Sequence, residues 1–258
     1  MPESSIPSTD LVILNAVKDL LFTADIALEL LEAPFAPTIN YHSRVETEPK
    51  GPDLDSVQNI TSGKEFRSAL RTVFLDRDGV LNRKMPEGQY VTSWQHFELL
   101  PGVPQAIAQL NQAGLRVLVV TNQRGIAKGL YTAADVHDIH HQLQALLAKS
   151  GAHDAHGPHI DGFYFCPHDK GQCNCRKPLP GLFEQAQAQF PEIEPATSLI
   201  VGDSLSDIEF GHNLGMKTIF LQGDESHREH QKPGASKAAD LADMRFPSLR
   251  EAVSHLLP

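Results

Sequence analysis

The sequence predicts an α/β protein, a three-layer sandwich with helices on both faces of a mostly parallel sheet. Three observations carry this. From Arg71 onward short β-type runs alternate with helical stretches, an order that implies right-handed βαβ units. The run RVLVV at 116–120 is nearly pure apolar sequence, as suits a parallel strand buried on both faces. Polar clusters follow the strand ends, where ligands bind in such sheets.

Each element has its own signal. Residues 72–75 form a short β-type run that leads into DRDGVLN. A helical stretch at 103–113 stops at Gly114, a residue common at helix C-termini. Then follow a strand at 116–120, a helix at 133–149 and a strand at 162–165. Residues 181–190 read as helix, 198–201 as strand, and 208–214 as a helix closed by Gly215, before the last strand, KTIFL, at 217–221. Residues 71–225 therefore read as one domain. Beyond it, 226–258 reads as a C-terminal extension: a polar loop to Asp240 and a short helix at 247–257.

The first seventy residues differ in character. Asp10 is placed to cap a helix over 11–32, and Pro34, Pro37, Pro49, Gly51 and Pro52 then read as a linker. A docking helix, a disordered tail and an overextended start all fit this stretch. It carries no catalytic constellation.

Composition narrows the function. Lysine plus arginine total 22 against 32 acids, a net charge of −10. This argues against nucleic acid or an acidic membrane as partner, because phosphate neutralisation needs a basic surface. A local basic pocket would still admit a small anionic substrate. The opening MPESSIPSTD has no basic charge, and the apolar stretch 11–31 contains Lys18, Asp19, Asp25 and Glu29, which are costly in a bilayer. The expectation is a soluble cytoplasmic protein, monomeric by default.

Four polar clusters follow strand ends in order: DRDG at 76–79, TNQRG at 121–125, CRKP at 175–178 and GDSLSD at 202–207. At a strand-to-loop transition Asp76 and Asp78 can both enter one crevice. One carboxylate can then attack an electrophile while its neighbour moves a proton to and from the leaving group. Asp203, with Asp207 nearby, adds carboxylates that repel one another unless a cation lies between them, and Mg²⁺ with oxygen ligands suits that need. A carboxylate–Mg²⁺ site completed by a lysine and hydroxyl donors fits a phosphoryl group. The alternative is that these aspartates serve turns and helix caps.

All three cysteines of the chain fall in CPHDKGQCNC at 166–175. An odd number does not make a disulfide framework. Cys166, His168, Cys173 and Cys175 instead offer three sulfurs and one imidazole, the ligand set of a closed tetrahedral Zn²⁺ site with no open position for a catalytic water. Three buried, unpaired cysteines are the alternative. No CxxC is present, which weighs against a redox pair.

At these residues the chain resembles the haloacid dehalogenase-like phosphatases: DRDGVLN, TNQRG, RKP and GDSLSD match the four motifs of that family in order, over about 72–222. The resemblance implies a Rossmann-like core with Asp76 as nucleophile and Asp78 as general acid and then base. It implies that Thr121 bonds the phosphoryl oxygens, that Lys177 offsets their charge, and that Mg²⁺ binds Asp76, the backbone carbonyl of Asp78 and Asp203. Asp207 would orient its neighbours from behind. The intervals 80–120 and 126–176 are too short to add a cap domain to their βα elements, so no separate cap is expected and selectivity must come from loops.

CPH…CxCRKP also resembles the zinc loop of two groups within that family, the heptose-bisphosphate and histidinol-phosphate phosphatases, and TNQRGIAKG is nearer the former. A small phosphorylated metabolite is the implied substrate. Lys84, Asn122, Gln123, Arg124, Arg176 and Ser204 are the implied contacts to it. Ser204 stands where both groups usually carry a basic residue, and Arg77, Lys84 or Lys128 are the candidates to replace that charge. A zinc-stapled binding module without catalysis is the reading from another class.

Six further histidines lie at His137, His140, His141, His153, His156 and His159. They read as a solvated helix face and a polar loop, with a second metal site as the alternative. Trp94 and Phe97 read as packing residues rather than substrate platforms.

Overall fold

The computed structural model describes residues 63–150, 157–223 and 234–257. The helix expected at 11–32, its linker, His153 and His156 lie outside the described residues. Among the described residues six strands form one sheet: β1 (Thr72–Leu75), β2 (Arg116–Asn122), β3 (Gly162–Cys166), β4 (Ser198–Gly202), β5 (Lys217–Leu221) and β6 (Met244–Phe246). Their order is β3-β2-β1-β4-β5-β6, and every neighbouring pair is parallel.

Strand side chains alternate between two apolar layers, which is why the strands read as unbroken apolar runs. On one face Val73, Leu75, Val117, Val119, Leu199 and Val201 join a large core cluster. On the other, Phe74, Leu118, Val120 and Ile200 join a second. The first layer is closed by α2 (Val103–Gln112), α3 (Ala133–Ser150) and α7 (Leu249–Leu256), the second by α4 (Gly181–Gln189) and α5 (Leu205–Leu214). Helix α2 buries Val103, Ala106, Ile107 and Leu110 at helical spacing. Burial of Ile107 and Leu110 contributes about 1.5–3 kcal/mol each.

Several boundaries differ from the sequence expectation. Helix α5 begins at Leu205 rather than at 208, because Ser204 and Asp207 form a capping box. The pattern SLSD carried that signal. Part of the expected polar loop at 225–240 is helix α6 (Ala235–Leu241), built from alanine-rich sequence with high helix propensity. Strand β6 has three residues, too few for a periodic pattern, and helix α1 (Gly63–Ala69) falls within the N-terminal stretch assigned to an extension. Trp94 and Phe97 stack on each other at 5.0 Å and pack on the first core layer, as expected of packing residues. His140 corrects the solvated-face reading: it is buried and stacked on Phe163 at 4.5 Å, while His137 and His141 are exposed. No helix among the described residues is long and apolar enough to cross a membrane.

Candidate active site

Because β1 and β4 are neighbours, the chain runs outward from β1 in one direction and from β4 in the other. A crevice opens beyond the carboxyl ends of the strands at such a reversal. Asp76 follows β1 directly, its backbone amide donating to the Val201 carbonyl of β4 (2.9 Å). Thr121 is the penultimate residue of β2, and Asp203 follows β4. Lys177 arrives from the loop after β3.

Lys177 is buried, and its ammonium ties the site together. It lies 3.0 Å from Asp76 Oδ1 and 2.6 Å from Asp207 Oδ1, and donates to the Val120 carbonyl at 2.6 Å. Burial works against its charge, but Asp207 and Asp76 outweigh burial and raise its pKa. Asp207 Oδ2 meanwhile accepts from the amide and hydroxyl of Ser204 at 3.0 and 2.6 Å. Ser204 therefore has its hydroxyl committed to the α5 cap, and Asp207 both caps that helix and holds Lys177.

The carboxylates of Asp76, Asp203 and Asp207 are buried and place ligand oxygens within 4.8 Å of one another. The Lys84 ammonium pairs with Asp203 Oδ2. An all-oxygen set with this much negative charge fits a hard divalent cation. Backbone geometry protects the cluster: a Cβ on Gly79, whose φ is +100°, would lie 2.3 Å from Asp203 Oδ2.

Asp78 faces a different set of partners. Arg77 Nη2 donates to both its oxygens (3.0 and 2.9 Å), Asn82 Nδ2 to Oδ1 (3.0 Å) and Gln123 Nε2 to Oδ2 (2.9 Å). Burial alone would raise its pKa. The Arg77 guanidinium and the bonds from Asn82, Gln123 and Arg77 prevail and lower it. Arg77 is wholly buried. Tyr131 completes the network by donating to Gln123 Oε1 at 2.7 Å, and burial, the largest cause, pushes its phenol up to about 12, so it stays a donor.

The second loop is held from within. Asn122 brackets the backbone of Lys177, donating to its carbonyl (3.1 Å) and accepting from its amide (3.0 Å). Arg124 pairs with Asp169 of the cysteine loop, Nη2 to Oδ2 at 3.0 Å. Asn122, Gln123 and Arg124 all line the open cavity beside the site, yet each also bonds within the protein. Lys84 and Arg176 line the same cavity of about 820 Å³, with Lys128 and Lys170, and Arg176 Nη1 is buried without a hydrogen-bond partner among the described residues. Sequence reasoning missed Asn82 and Tyr131 as site residues. Neither stands in a spacing that signals chemistry.

The four ligand atoms expected for zinc converge. Cys166 Sγ lies 3.5 Å from Cys173 Sγ and 3.8 Å from His168 Nδ1, and Cys175 Sγ lies 3.4 Å from each of Cys173 Sγ and His168 Nδ1. A tetrahedron with Zn–S of about 2.3 Å and Zn–N of about 2.0 Å has edges of about 3.5–3.8 Å. The cysteines are free thiols, and burial together with neighbouring sulfurs raises the pKa of Cys175, a cost that a bound cation removes.

Comparison with known proteins agrees with this geometry. A family model described as HAD-hydrolase-like matches residues 174–252. The chain is 42% identical over 187 residues to a D-glycero-α-D-manno-heptose-1,7-bisphosphate 7-phosphatase of Mycobacterium tuberculosis, covering 71% of this chain and 91% of that protein. It is 36% identical to a D-glycero-β-D-manno-heptose-1,7-bisphosphate 7-phosphatase of Pseudomonas putida, over 63% of this chain and 89% of that one. Among solved structures it resembles the D,D-heptose 1,7-bisphosphate phosphatase from B. bronchiseptica complexed with magnesium and phosphate, at a TM-score of 0.60 and 30% identity, covering 73% of this chain and 98% of the other. With a six-stranded parallel sheet, no cap inserted among the described residues, and relatives this similar over nearly their whole length, the chain belongs to the haloacid dehalogenase-like phosphatases, the family that includes the heptose-1,7-bisphosphate 7-phosphatases.

Proposed function

We propose that the chain hydrolyses the 7-phosphate ester of D-glycero-D-manno-heptose 1,7-bisphosphate, with Mg²⁺ as catalytic and Zn²⁺ as structural cofactor. The observation that carries this is the meeting of four loops at one point, with the Lys177 ammonium 3.0 Å from Asp76 and buried carboxylates beside it. A carboxylate oxygen of Asp76 attacks phosphorus, and the bond from phosphorus to the sugar oxygen breaks. Asp78, which its partners hold ionised, takes up a proton as the phosphate binds and gives it to that oxygen. Water then attacks the aspartyl-phosphate, yields a proton to Asp78, and releases inorganic phosphate from Asp76.

Thr121 and Lys177 hold the phosphoryl oxygens, and Asp207 keeps Lys177 aimed at them. Mg²⁺ would be held by Asp76, Asp203 and the backbone carbonyl of Asp78, and supplies positive charge against the phosphoryl oxygens. Zn²⁺ would be held by Cys166, His168, Cys173 and Cys175, and ties down the loop that ends in Arg176 and Lys177. Lys84, Lys128 and Arg176 make the adjoining cavity basic, which suits the second phosphate of a bisphosphate. In this reading Lys84 also answers the charge that Ser204 does not carry. The chain acts as a cytoplasmic monomer.

Identity is higher to the α-anomer relative than to the β-anomer one, 42% against 36%, which favours the α anomer as substrate. The test is phosphate release with Mg²⁺ from both heptose bisphosphate anomers, histidinol phosphate and p-nitrophenyl phosphate, comparing wild type with Asp76→Asn. Release from the α-heptose bisphosphate that Asp76→Asn abolishes is expected. Preference for histidinol phosphate would replace the substrate, and equal activity in the two proteins, or none on any ester, would sink the enzyme reading.

A further inference from the structure

Gln123 uses every hydrogen-bonding position of its carboxamide inside the protein. Nε2 donates to Asp78 Oδ2 and to Thr121 Oγ1, both at 2.9 Å. Oε1 accepts from the Tyr131 hydroxyl at 2.7 Å and from Arg77 Nη2 at 3.2 Å. A carboxamide has two N–H groups and two lone pairs, so no capacity is left for a ligand. The orientation is set by its partners. Reversed, Oε1 would face the Asp78 carboxylate and Nε2 would face two donors. Gln123, Thr121, Arg77 and Tyr131 are all buried, where unpaired polar atoms are costly.

We propose that Gln123 is a positioning residue for Asp78 and Thr121, backed by Tyr131 and Arg77, and does not read the sugar. One N–H fixes the Asp78 carboxylate at the angle from which it meets the leaving oxygen. The other N–H occupies a lone pair of Thr121 Oγ1, which directs the Thr121 hydroxyl proton to another acceptor, the phosphoryl oxygen. The inference rests on the reading of Asp78 as the proton donor to the leaving group.

Leaving-group dependence separates this role from a structural one. An alkyl oxygen needs a proton as it departs, whereas p-nitrophenolate departs without one. The experiment measures kcat and KM for p-nitrophenyl phosphate and for two alkyl esters, glycerol phosphate and heptose bisphosphate, in wild type, Gln123→Met and Tyr131→Phe. kcat/KM reports the transfer to Asp76 itself. Proton transfer by a positioned side chain is worth about 10²–10⁴-fold. Gln123→Met is therefore expected to lower kcat/KM on the alkyl esters at least about tenfold more than on p-nitrophenyl phosphate, chiefly through kcat. Tyr131→Phe removes one of the two donors to Oε1 and should act in the same direction, more weakly; it carries the test if Gln123→Met fails to fold. Equal losses on both ester classes would overturn the proposal, as would a raised KM for heptose bisphosphate with kcat unchanged. If wild type cleaves p-nitrophenyl and glycerol phosphates but not heptose bisphosphate, the substrate reading fails while the ratio still decides the role of Gln123. No release from any ester overturns both.

Discussion

Replacing Lys177 by methionine probes how the site tolerates its own charge. The Lys177 side chain is 1% exposed, and those of Asp76 and Asp207 are 7% and 1% exposed. Its ammonium lies within 3.0 Å of both carboxylates and of the Val120 carbonyl. Methionine keeps most of the volume, so packing changes little. What is lost is the counter-charge of two buried carboxylates. Removing one partner of a buried ion pair costs about 3–5 kcal/mol, and with two carboxylates and a carbonyl left behind the upper part of that range applies. In a domain of this size each kcal/mol lowers Tm by about 2–4 °C, so a fall of about 8–20 °C is expected. The assay is thermal and urea unfolding of wild type and Lys177→Met in Mg²⁺-free buffer, repeated with Mg²⁺. Mg²⁺ should narrow the gap, since carboxylates that have lost the Lys177 charge bind a cation more tightly and so gain more stability from it. Phosphate release should fall about 10²–10³-fold, the usual cost of removing one group that stabilises developing charge. A stability loss below about 1 kcal/mol without Mg²⁺ would refute the view that Lys177 neutralises these carboxylates.

Two further outcomes follow from groups outside the reacting centre. His140 has its pKa pushed down to about 3 from 6.5, first by burial and then by Arg77 and His137. The unfolded chain therefore binds the proton first, and stability falls as pH drops below about 6.5, by about 2 kcal/mol at pH 5. His140→Leu should remove that slope from urea unfolding at pH 6.5 and pH 5; an unchanged slope would mean that another group titrates there. Purified protein should carry about one Zn²⁺ per chain, and Cys173→Ser should lower both zinc content and Tm, as should a chelator on wild type. Full zinc retention in Cys173→Ser would show that the metal is held elsewhere.

Much of the scaffold was legible because its signals are local. The apolar runs at 72–75, 116–120, 198–201 and 217–221 reflect burial on both faces, and all four became parallel strands. Boundaries slipped where a cap decided them, as at Ser204 and Asp207, or where an edge strand of three residues offered no period, as at Met244–Phe246. The four-motif order pointed to the chemistry because three motifs sit at strand ends and the fourth lies in the loop after β3, and parallel topology brings those ends together. The spacing of Cys166, His168, Cys173 and Cys175 suggested a zinc set, and the resemblance of the motifs to a known family suggested Asp76, Lys177 and Asp203.

What spacing could not decide is where polar groups find their partners. Asn122, Gln123 and Arg124 are consecutive, and their sequence suggests three hands reaching for a substrate. In the fold they turn to Lys177, Asp78 and Asp169, each at least 45 residues away along the chain. His137, His140 and His141 share helical spacing, yet only the packing of α3 on Phe163 selects His140 for burial. Local periodicity and turn chemistry were enough to order the core strands and helices between 72 and 221 and to mark the residue types at their ends, though not helix α1, helix α6 or strand β6. The tertiary structure alone decided which of those side chains stay available to a ligand. A buried polar atom must take the first partner within reach, and that partner is set by three-dimensional proximity, which spacing along the chain does not encode.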